Sequence, residues 1–175
     1  MKKDSKETKN SEFLFGLFQL KYNHYLHRKK VLNNKSSNLL AFTGLILTFQ
    51  GALGTFLIYL LKNFNSTFKL IIILLFILPL VLYSISVYYS IKSYKINEWV
   101  YFPSSSFLMK NHELKTDKSI VIEKSLNDFP DILEDNDEVL NEKVNSLIKS
   151  VNLLQFGLFL SVIYIFVLSI LLASS

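Results

Sequence analysis

Three long uncharged stretches dominate the pattern of hydrophobic and polar positions along the chain. They run from residue 36 to 61, from 70 to 91 and from 150 to 175, and each is rich in Leu, Ile, Val and Phe. A helix that crosses a hydrocarbon core of ~30 Å needs about 20 mostly apolar residues. The pattern therefore predicts an all-α integral membrane protein with three transmembrane helices per chain, at 38–61, 70–91 and 152–173.

Spacings that alternate between three and four residues extend the first and third helices beyond their apolar stretches. Such heptad spacing is typical of helices that pack side by side. We expect a cytoplasmic stalk helix at 12–37 and a second at 137–151, each continuous with its span. Both stalks run towards the membrane, so they are expected to pack parallel to each other or to copies of themselves. The stalk seams are Phe15, Phe18, Tyr22 and Tyr25 in the first helix, and Leu140, Val144, Leu147 and Val151 in the second.

The stretch FLFGLF at 13–18 leaves a second interpretation open for the first stalk. Aromatic residues followed by Lys and Arg are also typical of a helix that lies in the membrane interface. The long heptad stripe favours the stalk. The remaining segments are expected to form a mobile polar tail at 1–11, an outer turn at 62–69 and a cytoplasmic loop segment at 92–136.

The distribution of Lys and Arg predicts how the chain is oriented in the membrane. Nine of these residues precede the first span, two lie in the 62–69 turn, eight lie in 92–151, and none follows Lys149. Cytoplasmic segments carry an excess of Lys and Arg, so the N-terminus is expected in the cytoplasm and the C-terminus outside the cell membrane. The protein is expected to be a multi-pass protein of the cell (inner) membrane. The first apolar run starts too far along the chain for a cleaved signal peptide. The pI near 9.2 follows from this topology, and no basic-aromatic module indicates a nucleic-acid partner.

Aromatic residues follow the second span directly, as Trp99, Tyr101 and Phe102. We interpret them as anchors of the helix end at the membrane interface, where aromatic residues are enriched. An aromatic cage for a ligand is the alternative.

Small and polar side chains mark one face of each predicted span, and in the second span Tyr83, Ser86 and Ser90 continue a polar stripe from Pro79 towards the inner side. An unpaired amide in hydrocarbon costs several kcal/mol, so Gln50, near the middle of its span, is expected to face protein or water. Small residues let a second helix approach closely, so helix packing is the first interpretation, ahead of a pore and of a small-molecule site. Gln50 would bond to Ser161 or to a carbonyl freed by Pro79, or would meet water. The packing or pore-facing residues are Thr43, Gly44, Thr48, Gln50, Gly51, Gly54, Thr55, Pro79, Tyr83, Ser86, Gly157, Ser161 and Tyr164.

Residues that carry catalysis or hold cofactors are scarce. The chain has no Cys, and His24 and His27 share a helix face without an evident third metal ligand. The acidic segment at 127–142 lacks the glycine of a calcium-binding EF-hand loop, and it is interpreted as a helix N-terminus. The sequence therefore predicts no catalytic, cofactor-binding or metal-binding residues, and no enzyme.

Two stretches, NNKSSNLLAFTGLIL at 33–47 and DEVLNEKVNSLIKSVNLLQFGLFLSVI at 137–163, carry a resemblance to known proteins. The first has a lysine and small residues ahead of a Leu-Leu pair that opens a span. The second has Asn141 and Lys143 on a stalk helix, Leu147 four residues on, and a span soon after. Both resemble small prokaryotic multi-helix membrane effectors of nucleotide-triggered antiphage systems: the transmembrane effectors of pyrimidine cyclase systems and the two-helix effector domains associated with nucleotidyltransferases. Uncharacterised archaeal membrane proteins of similar layout are an equally good match.

The resemblance implies damage to the inner membrane when the protein is triggered. The cyclic-nucleotide-binding domain expected in some of these effectors has no counterpart in the sequence. Three spans bury few helix faces and both heptad seams need partners, so we expect a homo-oligomer in the lipid bilayer. We expect it to act as an effector or channel-like protein that alters membrane permeability. The alternative is a structural or adaptor protein that recruits a soluble partner through its cytoplasmic helices.

Overall fold

The computed structural model describes residues 2–61, 66–95, 99–101 and 117–173, with side chains from residue 10 onward except at 59, 60, 66, 67, 118, 119, 171 and 172. Within these ranges the chain forms three helices and no strand: α1 at Lys2–Leu60, α2 at Ser66–Lys95 and α3 at Lys118–Ala173. Each helix is long and apolar enough to cross a membrane. The prediction of an all-helical chain with three such helices is confirmed. Phe102, the centre of the 62–69 turn and residues 102–116 lie outside the described residues.

Helix α1 is unbroken from Lys2 to Leu60, so the backbone expected to form a mobile tail at 1–11 is helical. Lys, Glu and Ser fill its first turns, and neither Gly nor Pro occurs before Gly16. Lys and Glu are good helix formers, and this composition lets the helix extend towards the N-terminus.

Helix α3 begins well before the expected residue 137. The backbone oxygen of Asp117 accepts hydrogen bonds from the amides of Ile120 (3.1 Å) and Val121 (3.2 Å), which closes the first turn. Aspartate is a favoured residue just before a helix, because it satisfies the free amides there. The acidic segment at 127–142 is therefore helix interior, with its carboxylates mostly exposed, and not the helix N-terminus that the sequence predicts.

The chain divides into two compact units. The first contains residues 1–31 and 97–142, and the second contains residues 32–96 and 143–175. Helices α1 and α3 contribute to both units, whereas α2 belongs to the second.

In the first unit, α1 and α3 run parallel around an aromatic cluster. The ring of Phe129 stacks on Phe18 at 5.2 Å and meets the edges of Phe15 and Tyr22. Phe129 is almost fully buried. Buried aromatic rings contribute large apolar areas, and edge or stacked ring pairs add roughly 0.5–1.5 kcal/mol each.

The second unit is a bundle in which α1 and α3 run parallel and α2 runs antiparallel to both. One end of its interior is apolar, with Leu57, Ile72, Tyr164 and Leu168 buried together and Phe76 packed against them. The rest of the interior is lined by polar side chains that hydrogen-bond across the helices, and these form the candidate site.

The buried face of α3 differs from the predicted apolar seam. Leu140 is fully buried, but Val144, Leu147 and Val151 are only half-buried. Several of the positions that face the other helices are polar or small: Lys143, Ser146, Ser150 and Gly157. Buried polar groups need hydrogen-bond partners, and the facing helices provide them.

Candidate functional site: the buried polar face of the second unit

Helix α2 presents a row of polar side chains to the interior. Tyr83, Ser86, Ser90 and Ser93 are each at most 1% exposed, and they recur at spacings of three and four residues on one helix face. Pro79 is buried one turn before Tyr83, inside a helix that stays continuous. The sequence predicts this face up to Ser90, and the structure extends it to Ser93.

Serine hydroxyls join α2 to α3 at the centre of this row. Ser86 donates its hydroxyl to the backbone oxygen of Ser150 at 2.8 Å, and Ser150 donates back to the backbone oxygen of Ser86 at 2.7 Å. The Ser90 and Ser150 hydroxyl oxygens are 2.7 Å apart. Such bonds require the two backbones to lie close together, which serine permits. Each interhelical bond contributes only about 0.6 kcal/mol on average in membranes, so together they position the helices more than they stabilise them.

Lys143 is a buried cation next to the serine row. Its side chain is 0% exposed, and Nζ donates to Oδ1 of Asn33 and to the backbone oxygen of Ser93, both at 3.0 Å. Ser93 donates its hydroxyl to the backbone oxygen of Lys143 at 3.1 Å, and Ser36 donates to the Ser93 hydroxyl at 3.0 Å. A buried ammonium needs such acceptors because its desolvation costs several kcal/mol. Acceptors from α1 and α2 therefore hold the cation that α3 carries.

Gln50 lies further along the same face, and is 2% exposed. Ser161 donates its hydroxyl to Gln50 Oε1 at 3.5 Å, a long and weak hydrogen bond, and the Ser161 and Tyr83 hydroxyls are 2.8 Å apart. The structure thus brings together Gln50 and Ser161. Among the described residues, three buried side-chain polar atoms have no hydrogen-bond partner: Gln50 Nε2, the Tyr164 hydroxyl and, in the first unit, Trp99 Nε1.

The glycines of the predicted packing set fall into two classes. A methyl group at position 157 would lie 2.6 Å from Tyr83 Cε1, and one at 54 would lie 2.7 Å from Phe76 Cζ. These two glycines are required for close contact within the chain. A methyl group at Gly44 or Gly51 would meet nothing within 4 Å.

The small-residue seam of α1 consequently faces away from the described parts of its own chain. Gly51, Thr48 and Thr55 are exposed, and the two threonine hydroxyls bond only to carbonyl groups of their own helix, those of Gly44 and Ala52. Thr43, by contrast, is fully buried and donates to the backbone oxygen of Leu39. The predicted face thus divides into an interior part and an outward part.

The first unit places two of the predicted interface anchors against a lysine. Trp99 is 6% exposed, and Lys29 Nζ lies 4.8 Å from the centre of its ring. The same ammonium lies 5.0 Å from the ring centre of Tyr101 and donates to its hydroxyl at 3.1 Å. Trp99 is therefore packed within the first unit, where burial and cation–π attraction hold its ring.

Asn136 holds the segment between these two aromatic residues. Its Oδ1 accepts from the Val100 amide and its Nδ2 donates to the Val100 oxygen, both at 3.0 Å. Tyr22 also donates to that oxygen, at 3.5 Å. Asn136 is fully buried, so its two hydrogen bonds to the backbone of Val100 fix residues 99–101 on the helix pair.

Burial and the nearby Asp137 carboxylate raise the pKa of the Tyr25 hydroxyl, and Arg28 partly offsets them. Arg28 Nη1 and Asp137 Oδ1 are 3.9 Å apart, with both side chains more than two-fifths exposed. An ion pair this open contributes little to stability. The hydroxyl therefore stays protonated at neutral pH.

Sequence reasoning missed Lys143, Asn136, Asn33 and Ser150 as interior residues. For Ser150, Lys143 and Asn136 the signal is the seven-residue spacing that continues backwards from Gly157. Such a polar repeat indicates a helix face whose side chains bond to other helices.

No group of three metal-ligating side chains occurs among the residues that the structure describes. His24 and His27 are both exposed on α1, and His112 lies outside the described residues. The polar face offers hydroxyls, an amide and a bonded ammonium, which suit hydrogen bonding to one another or to a neutral molecule.

Comparison with protein-family models, with curated proteins and with solved structures finds no match for the chain. The function proposed below therefore depends on the structure and on the sequence.

Proposed function

We propose that the protein is a non-enzymatic integral membrane protein that assembles with copies of itself and alters membrane permeability. The observation that carries the proposal is the outward small-residue face of α1, formed by Gly44, Thr48, Gly51 and Thr55. It lies in a helix apolar enough to cross a membrane, and nothing in the described chain covers Gly44 or Gly51.

The arrangement of polar groups supports a path between copies over a path through one chain. Within the second unit, the hydroxyls of Ser86, Ser90 and Ser150 bond to one another, and the Lys143 ammonium is held by acceptors. These bonds occupy the serine hydroxyls and the ammonium, so this part of the interior does not suit a path for water or ions. Small residues at membrane helix interfaces let backbones approach closely, so the α1 face suits a neighbouring copy.

The proposed orientation places the N-terminus and residues 92–151 in the cytoplasm of a prokaryotic cell, with the C-terminus outside. The resemblance to membrane effectors of antiphage systems agrees with a function in membrane damage. The trigger would act on the cytoplasmic residues.

Leakage from liposomes tests the proposal. We expect the reconstituted full chain to release an entrapped fluorescent dye, and Gly51→Leu to reduce that release at least tenfold, because the added side chain blocks the helix contact without meeting its own chain. Ser84→Leu is the matched control, since Ser84 is exposed on α2 and bonds only to its own helix at Leu80. Equal leakage from wild type and Gly51→Leu would refute the role of this face.

One observation favours an adaptor function as the second candidate. In the first unit, α1 exposes Phe13, Leu17 and Leu20, and α3 exposes a row of carboxylates that includes Asp131 and Glu138. A soluble partner would cover such a surface. If the purified protein leaks nothing under any condition and binds a soluble protein through the first unit, the adaptor function is correct.

A further inference from the structure

A cavity opens on one side of the second unit between α1 and α3. Its volume is about 210 Å³. Its rim is apolar and outward-facing, and its polar lining consists of Gln50, Tyr83 and Ser161. The rim residues are Leu45, Phe49, Val162 and Ile165. The cavity does not include the small-residue face of α1 to which a second copy is assigned.

The amide of Gln50 gives the cavity a specific chemical requirement. Among the described residues its Nε2 has no acceptor, and the side chain is 2% exposed. A buried amide without a partner costs free energy, and a ligand with an acceptor would remove that cost. Tyr83 and Ser161 already bond to each other, so the free donor in the lining is the amide.

The position of Gln50 restricts which acceptor can reach it. The nearest charged residue before Gln50 on α1 is Lys35, and α1 ends at Leu60. With a rise of 1.5 Å per residue, Lys35 lies roughly 22 Å away on one side and the helix end roughly 15 Å away on the other. Gln50 is then close to the middle of a core of ~30 Å, whereas the ester carbonyls of phospholipids lie at its edge. The acceptor must belong to an uncharged molecule that dissolves in the middle of the bilayer.

The volume restricts the size of that molecule. An apolar cavity of about 150 Å³ holds benzene, and pockets for drug-sized ligands are about 300 Å³ or larger. A cavity of about 210 Å³ therefore fits one six-membered ring with a small substituent.

We propose that this cavity binds a neutral one-ring ketone or quinone, whose carbonyl oxygen accepts a hydrogen bond from Gln50 Nε2. The ligand would enter sideways from the lipid past the rim. The inference uses the membrane insertion of the second unit proposed above, but it does not depend on assembly or on permeability.

Ligand-observed NMR on the full chain in detergent micelles tests this binding. Acetophenone is the probe, and ethylbenzene has nearly the same shape without the carbonyl. We expect saturable binding of both, with acetophenone bound about fivefold more tightly, the usual effect of one neutral hydrogen bond. Because binding is measured in micelles, a failed leakage assay leaves this result unaffected.

Two variants identify the site. Gln50→Leu keeps the side-chain size and is expected to abolish the preference for the ketone while ethylbenzene still binds. Val162 lies on the rim and is 65% exposed. Val162→Trp fills the entrance and is expected to abolish binding of both probes without unfolding the chain. Equal affinity of wild type for the two probes, a preference that survives in Gln50→Leu, or no saturable binding in wild type would each overturn the proposal.

Discussion

A methyl group at position 157 would lie 2.6 Å from Cε1 of Tyr83, so this glycine and this ring fill adjoining space with no room between them. Tyr83 is fully buried, and its hydroxyl is 2.8 Å from that of Ser161. The close contact of α2 with α3 therefore sets the position of the polar groups around Gln50.

Gly157→Ala is expected to destabilise the second unit. The overpacking costs about 1–3 kcal/mol, and the better helix propensity of alanine offsets at most about 1 kcal/mol of it. Gly16→Ala is the matched control, because its methyl group meets nothing within 4 Å and Gly16 lies outside the small-residue face. Thermal unfolding in detergent should show a lower midpoint for Gly157→Ala and an unchanged or higher one for Gly16→Ala. Equal shifts would contradict the packing described.

Asn33→Leu is expected to lower the free energy of unfolding by about 1.5–3 kcal/mol, the usual effect of losing a hydrogen bond to a charged group. The reason is that Asn33 Oδ1 accepts from the buried Lys143 ammonium at 3.0 Å. Asn34→Leu changes the same side chain at the neighbouring, exposed position. Denaturant unfolding of the two variants separates the loss of the hydrogen bond to Lys143 from the effect of a leucine in this part of the helix. Similar stabilities would show that the bond to Lys143 contributes nothing.

Tyr25 is expected to make the stability of the first unit depend on alkaline pH. Burial and Asp137 raise the pKa of its hydroxyl above the ordinary value of 10.0, so the folded state favours the protonated form. This contribution is complete below the pKa of the unfolded chain and is lost as the pH rises through that of the folded chain. The stability difference between wild type and Tyr25→Phe should therefore shrink above pH 10.

Unfolding measured from pH 8 to 11.5 checks this dependence, with Tyr94→Phe, at a position 54% exposed, as the control for general alkaline unfolding. A constant difference in stability between wild type and Tyr25→Phe over that range would rule out ionisation of Tyr25 as the origin of the pH dependence.

The absence of Cys makes the topology directly testable. Gln19→Cys should be protected from a membrane-impermeant maleimide in intact cells and labelled after lysis, because the N-terminal segment is expected in the cytoplasm. Ala173→Cys, near the other end of the chain, should be labelled in intact cells. The reverse pattern would invert the orientation, and labelling of both in intact cells would contradict a membrane-spanning chain.

The sequence was sufficient to predict three candidate membrane spans and the interior face of one helix. The uncharged stretches located all three candidate spans, and the spacing from Pro79 to Ser90 located the buried face of α2, because polar residues inside a span need partners. The same reasoning named Ser161 as one of three candidate partners of Gln50, beside a carbonyl freed by Pro79 and water.

The interior face of α3 could not be found from its apolar residues. Val144 and Leu147 produce the stronger hydrophobic repeat, yet Lys143 and Ser150 occupy the interior. Apolar spacing alone does not reveal which polar groups find partners, and Lys143 and Ser150 find theirs on α1 and α2. The start of α3 at Lys118 was missed because the carboxylates at 127–142 fit a helix N-terminus, although the buried residues Ile122, Phe129, Leu133 and Leu140 repeat on one helix face through the same turns.

The central claim is that copies of the chain assemble through the outward small-residue face of α1. The detergent-corrected mass of the purified protein tests it most directly, measured for wild type and for Gly51→Leu by light scattering. We predict a multiple of the 20.3 kDa chain for wild type and a single chain for the variant. A wild-type mass equal to one chain, or an unchanged assembly in Gly51→Leu, would contradict the claim.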